Sequence, residues 1–188
     1  MYNQTVTTIN TEEEIQNNFW ICIFHNKPIT IVDNSLDKDT RISSLLNIGK
    51  IYEEGVFPNF IVNDEQKQLV LGEYFLEKER LLKYEHYPSR CSSIYVFPDL
   101  DNMTNCINFY GWHKNNPIML NVYLNPTKPY KILKANMEIV SSFRAGNPNK
   151  ISPSDYWDGK IYPITYDDGK TYHPITELVI EGELLIKN

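Results

Sequence analysis

The alternation of apolar and polar residues along the chain predicts a mixture of strands and helices. Runs of β-branched and aromatic residues at 19–24, 94–97 and 118–124 predict strands, because such side chains pack well on a pleated sheet. Two more β segments are predicted on either side of Gly182. Between residues 65 and 84, apolar side chains recur every three or four positions, which is the period of an amphipathic helix.

The long helix at 65–84 is expected to have two distinct sides. Glu77, Glu79 and Arg80 are expected on the solvated side, where the spacing allows ion pairs of Glu77 with Arg80 and of Glu79 with Lys83. Gly72 interrupts the helical pattern, since glycine is a poor helix former. The broad apolar stripe on the other side is formed by Val70, Leu71, Tyr74, Phe75, Leu81 and Leu82.

Weaker patterns complete the set of predicted elements. Residues 29–32 are predicted as a further strand and residues 41–46 as a short helix. Asp99 or Asp101 is expected to cap a helix that Gly111 terminates. The remaining predicted elements are a strand at 130–133, a helix at 135–143 and a hairpin around Asp167-Asp168-Gly169.

The stretch 87–99 combines a polar turn with an apolar strand. Pro88, Ser89 and Arg90 form the turn, and residues 94–97 form the strand that follows it. A strand so rich in β-branched and aromatic residues is typical of the interior of a sheet. We therefore predict that this strand is central and has polar side chains at its entrance.

Composition and charge indicate a folded, acidic domain. Of the 188 residues, 41% are hydrophobic and 22% are charged, which excludes wholesale disorder and fits a single domain over residues 1–188. The formal net charge is −6 and the isoelectric point is near 5.2, without a cluster of basic residues. This balance argues against broad binding to a phosphate backbone, and it suits a cytoplasmic protein or a mimic of nucleic acid.

Several specialised classes of protein are not indicated. The three cysteines include no Cys-x-x-Cys pair and the four histidines show no local metal spacing, so no metal site is predicted. The chain has no run of about 18 apolar residues and no basic-then-apolar leader, which predicts a cytoplasmic protein without a membrane partner. The sequence signatures of P-loop, Rossmann, zinc-protease and α/β-hydrolase chemistry are absent.

Four candidate ligand-binding residues are expected near the ends of early strands. His25 follows the first predicted strand, where sites in α/β proteins commonly lie. Arg90 stands beside Ser89 and Ser92, and its guanidinium matches the oxygens of a phosphate group. The structural alternatives are a histidine that caps a strand and an arginine that fixes a turn.

Three further candidates lie late in the chain. Tyr156 and Trp157 offer ring faces on which a nicotinamide or an adenine can stack. Glu177, at the start of a late strand, can orient a ribose hydroxyl or stabilise a developing cation. The structural alternatives are aromatic residues that plug a sheet edge and an exposed strand glutamate.

These segments together resemble a family of small, uncharacterised bacterial and phage proteins. The family pattern is a Glu-x-x-Arg helix, then a Pro-Ser-Arg segment and then an apolar strand. The match covers roughly residues 65 to 186. Its parts here are Glu77-x-x-Arg80, Tyr87-Pro88-Ser89-Arg90, Ser93-Ile94-Tyr95-Val96-Phe97, Tyr156-Trp157-x-Gly159 and Glu177-Leu178-x-x-x-Gly182-x-Leu184-x-Ile186.

That family is similar to the ADP-ribosyltransferase fold, a split β-sandwich that binds NAD in a cleft between two sheets. The resemblance implies an α+β domain of this type with flanking helices. It also implies that NAD is the substrate and that ADP-ribose passes to a protein or nucleic-acid acceptor, in a toxin or a phage–host conflict.

The resemblance further implies roles for individual residues. His25 would hold the ribose or amide of NAD, and Ser89 or Ser92 would support the nicotinamide side, with Tyr95 as a less favoured alternative. Glu177 would bond the ribose hydroxyl and stabilise the oxocarbenium-like state as nicotinamide leaves. Glu181-Gly182-Glu183 fits the Glu-x-Glu of arginine-specific transferases, but the glycine indicates a turn, so Glu177 is preferred on position.

Two other functions stay open at the level of the sequence. One is a non-catalytic binding module, such as an acidic phage-type inhibitor that blocks a host protein. The other is a nucleotide sensor that binds without transfer. Loss of the role of the first-strand residue would favour the nucleotide sensor.

Overall fold

The structure is a computed structural model that describes residues 6–7, 19–23, 41–43, 64–115 and 117–186. In this part of the chain helices and sheets form a mixed α+β arrangement, as the sequence predicted. The helices are α1 (Asp64–Lys83), α2 (Leu100–Phe109), α3 (Met137–Arg144) and α4 (Pro153–Trp157), with a 3-10 turn at Trp112–Asn115.

The strands form two larger sheets and one hairpin within the described residues. Their bounds agree with the strands predicted at 19–24, 94–97 and 118–124, and the strand predicted at 29–32 lies outside the described residues. The strands are β1 (Val6–Thr7), β2 (Phe19–Ile23), β3 (Arg41–Ser43), β4 (Ile94–Val96), β5 (Ile118–Leu124), β6 (Lys131–Asn136), β7 (Ile164–Thr165), β8 (Thr171–Tyr172), β9 (Thr176–Glu181) and β10 (Glu183–Ile186).

Strand order separates the two larger sheets. Sheet A has the order β1-β6-β9-β4 and sheet B the order β2-β5-β10-β3, while β7 pairs with β8 in the predicted hairpin. Gly182 divides β9 from β10 and so sends consecutive strands into different sheets. A side chain there would meet Tyr130, since an added Cβ would lie 2.8 Å from the Tyr130 Cβ.

Two predictions about strands are wrong. Residues 41–43 form strand β3, which pairs antiparallel with β10, whereas a helix was predicted over 41–46. Among the described strands β4 lies at the edge of sheet A, whereas a central position was predicted. The centre belongs to β6 and β9, which are six residues long, because their longer ladders pair on both sides and β4 has only three residues to pair.

Sheets A and B pack face to face over a shared apolar core. Alternate residues of a strand point to opposite faces, so Leu178 and Ile180 of β9 both point toward sheet B. The side chains that meet there are Ile94, Val96, Ile132, Leu178 and Ile180 from sheet A, and Phe19, Val122, Leu124, Leu184 and Ile186 from sheet B.

The opposite face of sheet A is covered by helices α1, α3 and α4. Val179 and Leu133 point to this side, because they alternate along their strands with residues that face sheet B. They pack in a second core with Leu76 of α1, Ile139, Val140 and Phe143 of α3, and Tyr156 and Trp157 of α4. The molecule is therefore layered as sheet B, sheet A and helices.

Helix α1 has the extent predicted for it, and its two predicted ion pairs form. Arg80 NH2 lies 2.7 Å from Glu77 Oε1, and Lys83 Nζ lies 2.7 Å from Glu79 Oε1. Its orientation differs from the prediction, however, because Arg80 is buried and Glu77 points inward with it. The side that faces the protein is formed by Gly72, Glu73, Leu76, Glu77 and Arg80.

The apolar side of α1 faces solvent. We call this surface the outer face of α1 and define it as Leu71, Tyr74, Phe75, Lys78, Leu81 and Leu82. Its apolar side chains are 44% (Leu71), 53% (Tyr74), 48% (Phe75), 59% (Leu81) and 68% (Leu82) exposed.

Gly72 allows α1 and α3 to cross with their backbones close together. A Cβ at this position would lie 2.9 Å from both the Phe143 carbonyl carbon and the Arg144 nitrogen, which is closer than real Cβ atoms approach. The glycine that interrupts the helical pattern is therefore required by packing.

Replacing Gly72 with alanine is expected to destabilise the protein, although alanine is the better helix former. The methyl group would push α1 and α3 apart, and overpacking of this kind costs about 1–3 kcal/mol. Urea unfolding measures the loss, with Thr104→Ala on the exposed side of α2 as a control expected to change stability by less than about 0.5 kcal/mol. A gain in stability for Gly72→Ala would contradict the close crossing.

Candidate functional site

Arg90 lies at the centre of a buried network of polar side chains. Its Nε donates to Glu73 Oε2 over 2.8 Å and its NH2 donates to Glu73 Oε1 over 3.2 Å. One edge of the guanidinium therefore binds the Glu73 carboxylate in a bidentate manner. Its NH1 donates to Glu177 Oε1 over 2.8 Å and also to the Tyr156 hydroxyl. The hydroxyl of Tyr156 in turn donates to Glu177 Oε1 over 2.7 Å.

Each residue of the Arg90 network comes from a different element. Glu73 is on α1, Tyr156 on α4 and Glu177 on β9, while Arg90 lies in the loop that leads into β4. Glu177 points to the helix side of sheet A because it is two residues from Val179 on the same strand. The network therefore joins the sheet to two helices.

Glu73 is held as a carboxylate by two arginines. Besides Arg90, the partly exposed Arg144 binds it, with its NH2 2.5 Å from Glu73 Oε1. Burial by itself raises the pKa of the Glu73 carboxyl, but the charges and hydrogen bonds of Arg90 and Arg144 outweigh it and bring the pKa down to about 2. Glu73 is consequently ionised over the whole physiological range.

Tyr95 and Tyr156 enclose the guanidinium of Arg90 with their rings. The Arg90 Cζ lies 4.9 Å from the Tyr95 ring centroid and 5.0 Å from that of Tyr156, both within reach of a cation–π contact. The Tyr95 hydroxyl donates to the carbonyl of Arg90. Burial raises the pKa of both phenols, so they stay protonated and act as donors rather than as bases.

The structure brings together three of the seven residues proposed from the sequence. Arg90, Tyr156 and Glu177 meet in the network, whereas Trp157 lies beside it in the core, where its Nε1 donates to the Leu76 carbonyl over 2.8 Å. The remaining candidates are elsewhere. Ser89 and Ser92 lie in the loop before β4, the amide of Ser92 donating to the Ser89 carbonyl over 3.2 Å, and His25 lies outside the described residues.

The Glu-x-x-Arg and Pro-Ser-Arg segments contact each other directly. Ser89 Oγ donates to Glu77 Oε1 over 2.9 Å, and Arg80 NH1 donates to the carbonyls of Glu85 and Tyr87 over 3.1 and 3.3 Å. The inward polar side of α1 thus holds the loop that carries Arg90. Both segments therefore have a structural role, because their contacts position the loop that carries Arg90.

The three candidate glutamates near the carboxyl end lie in different environments. Glu177 is buried in the Arg90 network, while Glu181 lies 3.4 Å from Lys131 Nζ at the far end of β9. Glu183, on sheet B, accepts a hydrogen bond from Asn125 Nδ2 over 2.5 Å. The preference for Glu177 over Glu181 and Glu183 stays a prediction.

Glu177 as it stands is poorly placed to receive a ligand. Its side chain is 7% exposed, and Arg90 and Tyr156 already occupy Oε1. It points away from the interior face between the two sheets, where the resemblance would place NAD. A ribose that approached Oε1 would have to displace Tyr156 or Arg90, and displacing Arg90 would leave a buried charge without its partner.

The described part of the chain offers no activated cysteine and no cluster of metal ligands. Burial, with the charges of Glu77 and Glu73, raises the pKa of the Cys91 thiol to about 11, so the nucleophilic thiolate is scarce at neutral pH. No group of three His, Cys, Asp or Glu side chains converges there as a metal site. Among the described helices none combines the length and apolarity needed to cross a membrane.

A groove borders the outer face of α1 and is the second candidate site. It has a volume of about 470 Å³ and lies between α1 and the loop that joins α3 to α4. Its walls combine apolar rings and chains with a few polar groups. They are formed by Gln68, Leu71, Phe75, Phe143, Gly146, Asn147, Lys150, Ile151 and Pro153.

Sequence reasoning did not identify Glu73, Arg144 or the outer face of α1 as functional features. Glu73, Glu77 and Arg80 recur at helical spacing opposite the apolar stripe, and that polar stripe was the available signal. Gly72, on the same side, indicates close packing and points to the side that faces the protein.

No model of a known protein family matches this chain, and no curated protein matches it in sequence. The resemblance to ADP-ribosyltransferase-like proteins therefore stays a prediction, and function has to be argued from geometry.

Replacing Arg90 with methionine is expected to destabilise the protein by about 3–5 kcal/mol, because Glu73 and Glu177 would be left buried without their shared cation. Urea unfolding measures the change. Lys134→Met, which removes an exposed cation from β6, is the control and should change stability by less than about 0.5 kcal/mol. Equal effects of the two substitutions would show that the network does not hold the layers together.

The stability of the protein is expected to fall in acid through Glu73. Its folded-state pKa of about 2 lies below the ordinary value of 4.5, so its stabilisation is present above pH 4.5 and is lost as the pH falls toward 2. The shift corresponds to about 3 kcal/mol. Unfolding free energies measured across this window should fall less steeply for Glu73→Gln than for the unsubstituted protein, and parallel curves would contradict the pairing.

Proposed function

We propose that this protein is a non-catalytic binding module that recognises another protein through the outer face of α1. The observation that carries the proposal is the orientation of α1, which turns its charged side inward and five large apolar side chains outward. Contiguous apolar surface of this kind marks interaction sites in folded proteins.

The surface has the shape as well as the polarity of a binding site. The groove beside Leu71 and Phe75 is concave and is lined largely by apolar side chains, with Asn147 and Lys150 as polar groups at its far wall. Fully covering an aliphatic or aromatic side chain gains about 1.5–3 kcal/mol relative to leaving it in water. A partner that covers several of them would gain a large hydrophobic contribution.

The inward side of α1 explains why this surface is stably presented. Glu73 binds Arg90 and Arg144, and Glu77 and Arg80 bind the loop at 85–89. A helix fixed by buried ionic contacts cannot rotate its apolar side inward without breaking them. The Arg90 network would then serve to position a binding surface.

A transferase that uses NAD is the second candidate function. Two sheets packed face to face and the meeting of Arg90, Tyr156 and Glu177 favour it. At Glu177 Oε1 a ribose hydroxyl would have to replace the Tyr156 hydroxyl or the Arg90 guanidinium. The binding function requires no such rearrangement.

Photo-cross-linking tests the binding function. A benzophenone-bearing residue in place of Tyr74, on the outer face of α1, is expected to form one discrete adduct with another protein in the native cells. Phe75→Asp should abolish the adduct, because a charge in the centre of an apolar contact is costly to bury. Leu100→Asp, which changes an equally exposed apolar residue on α2, is the matched control and should leave it unchanged.

Two results would contradict the proposal. One is an adduct that survives Phe75→Asp as well as it survives Leu100→Asp. The other is release of nicotinamide from NAD by the purified protein at a rate that Glu177→Gln abolishes, with the folded state of the variant verified by circular dichroism, which would favour the transferase.

A further inference from the structure

Lys78 lies in the middle of the outer face of α1, among the exposed apolar side chains. A helix turns about 100° per residue, so Leu71, Phe75, Lys78 and Leu82 fall within about 60° of one another around the helix axis. Tyr74 and Leu81 flank them on one side. The result is a narrow seam in which a single charge is surrounded by apolar groups.

The spacing of this seam matches the surface of a second helix. Its members are four, three and four residues apart, which is the alternation with which helices pack along one another in coiled coils. At 1.5 Å per residue the seam is about 17 Å long, which corresponds to three turns of a partner helix. An extended strand would repeat its side chains with a period of two and would not stay in register with it.

The charge near the seam is positive, although the chain as a whole is acidic. Lys78 is in the seam and Lys150 lines the groove beside it, and both are exposed. Glu79, which follows Lys78 on α1, is already bound to Lys83 Nζ over 2.7 Å and to Ser154 Oγ over 2.6 Å, and Glu77, which precedes it, points inward and binds Arg80. A partner would therefore meet net positive charge at this surface.

We propose that the segment recognised by the outer face of α1 is an amphipathic helix that places a carboxylate against Lys78. This inference rests on the proposed binding function and adds the chemistry of the partner. A lysine inside an apolar seam loses hydration free energy when the seam is covered, and an ion pair with an opposite charge offsets that loss. Charged positions inside such seams commonly determine which partner is accepted.

A second copy of this chain is a poorer occupant of the seam. The copy would bring another Lys78 and no carboxylate among the seam residues, so two ammonium groups would be partly buried close together. The chain also carries a formal net charge of −6, which opposes self-association in general. The preferred partner is therefore a different protein.

Selection from a displayed peptide library tests this inference on the full-length protein. The library consists of 16-residue helical peptides with leucine at seam positions, and with one central seam position and the outward positions randomised. Selection on the unsubstituted protein should enrich Asp or Glu at the central position. Selection on Lys78→Glu should enrich Lys or Arg there instead.

Affinities of purified peptides then give the size of the effect. A peptide selected on the unsubstituted protein should bind Lys78→Glu about tenfold more weakly or worse, corresponding to about 1.4 kcal/mol. Lys128→Glu, which makes the same charge change in the turn between β5 and β6, is the matched control and should bind the peptide as the unsubstituted protein does.

The possible failures separate the inference from the binding function. Peptides that bind, are lost on Phe75→Asp and show no charge preference would overturn the inference alone. Absence of any peptide sensitive to Phe75→Asp would overturn both. A monomer–dimer equilibrium that Phe75→Asp abolishes in sedimentation would identify a second copy as the occupant, and a cross-link from position 74 to residues 44–63 of the same chain would identify the chain itself. Either result would overturn the inference.

Discussion

The positive charge of Arg90, held away from water, is the constraint on which the arrangement of the layers depends. A guanidinium is stable in this position because the carboxylates of Glu73 and Glu177 lie within hydrogen-bonding distance. The Tyr156 hydroxyl donates a further hydrogen bond to Glu177. Glu73 comes from α1 and Glu177 from the centre of sheet A. The cation therefore determines how the helix layer is placed on the sheet, and a helix with different polar positions could not replace α1.

This constraint explains the unusual orientation of α1. Its inward side is needed for Glu73, Glu77 and Arg80, so the apolar stripe is left facing solvent. Ordinary surface helices do the reverse, because hydrophobic burial is usually the dominant gain. Here buried ionic contacts and the close crossing at Gly72 determine which side packs. The exposed apolar surface is a consequence of this packing, and the proposed binding function rests on it.

Local signals in the sequence predicted much of the fold. Asp99 caps α2 as one of two expected caps, its side chain accepting from the Asn102 amide over 2.7 Å, and the turn after Asp167 forms the expected hairpin. The candidate site was predicted in part, since Arg90 and Glu177 meet although they are 87 positions apart. Their partner Glu73 was not identified, because a glutamate in a charged helix looks the same whether it is solvated or paired with a distant arginine.

The sequence by itself determined most of the described helices and strands, because periodicity, capping residues and glycines act over a few neighbouring positions, although residues 41–43 form a strand where a helix was predicted. It also determined that α1 has one polar and one apolar side. The tertiary structure alone decided which of these sides packs, that β4 lies at an edge and that Gly182 sends β9 and β10 into different sheets. These outcomes depend on contacts between residues far apart in the chain, and a pattern along the chain does not encode which distant partners will meet.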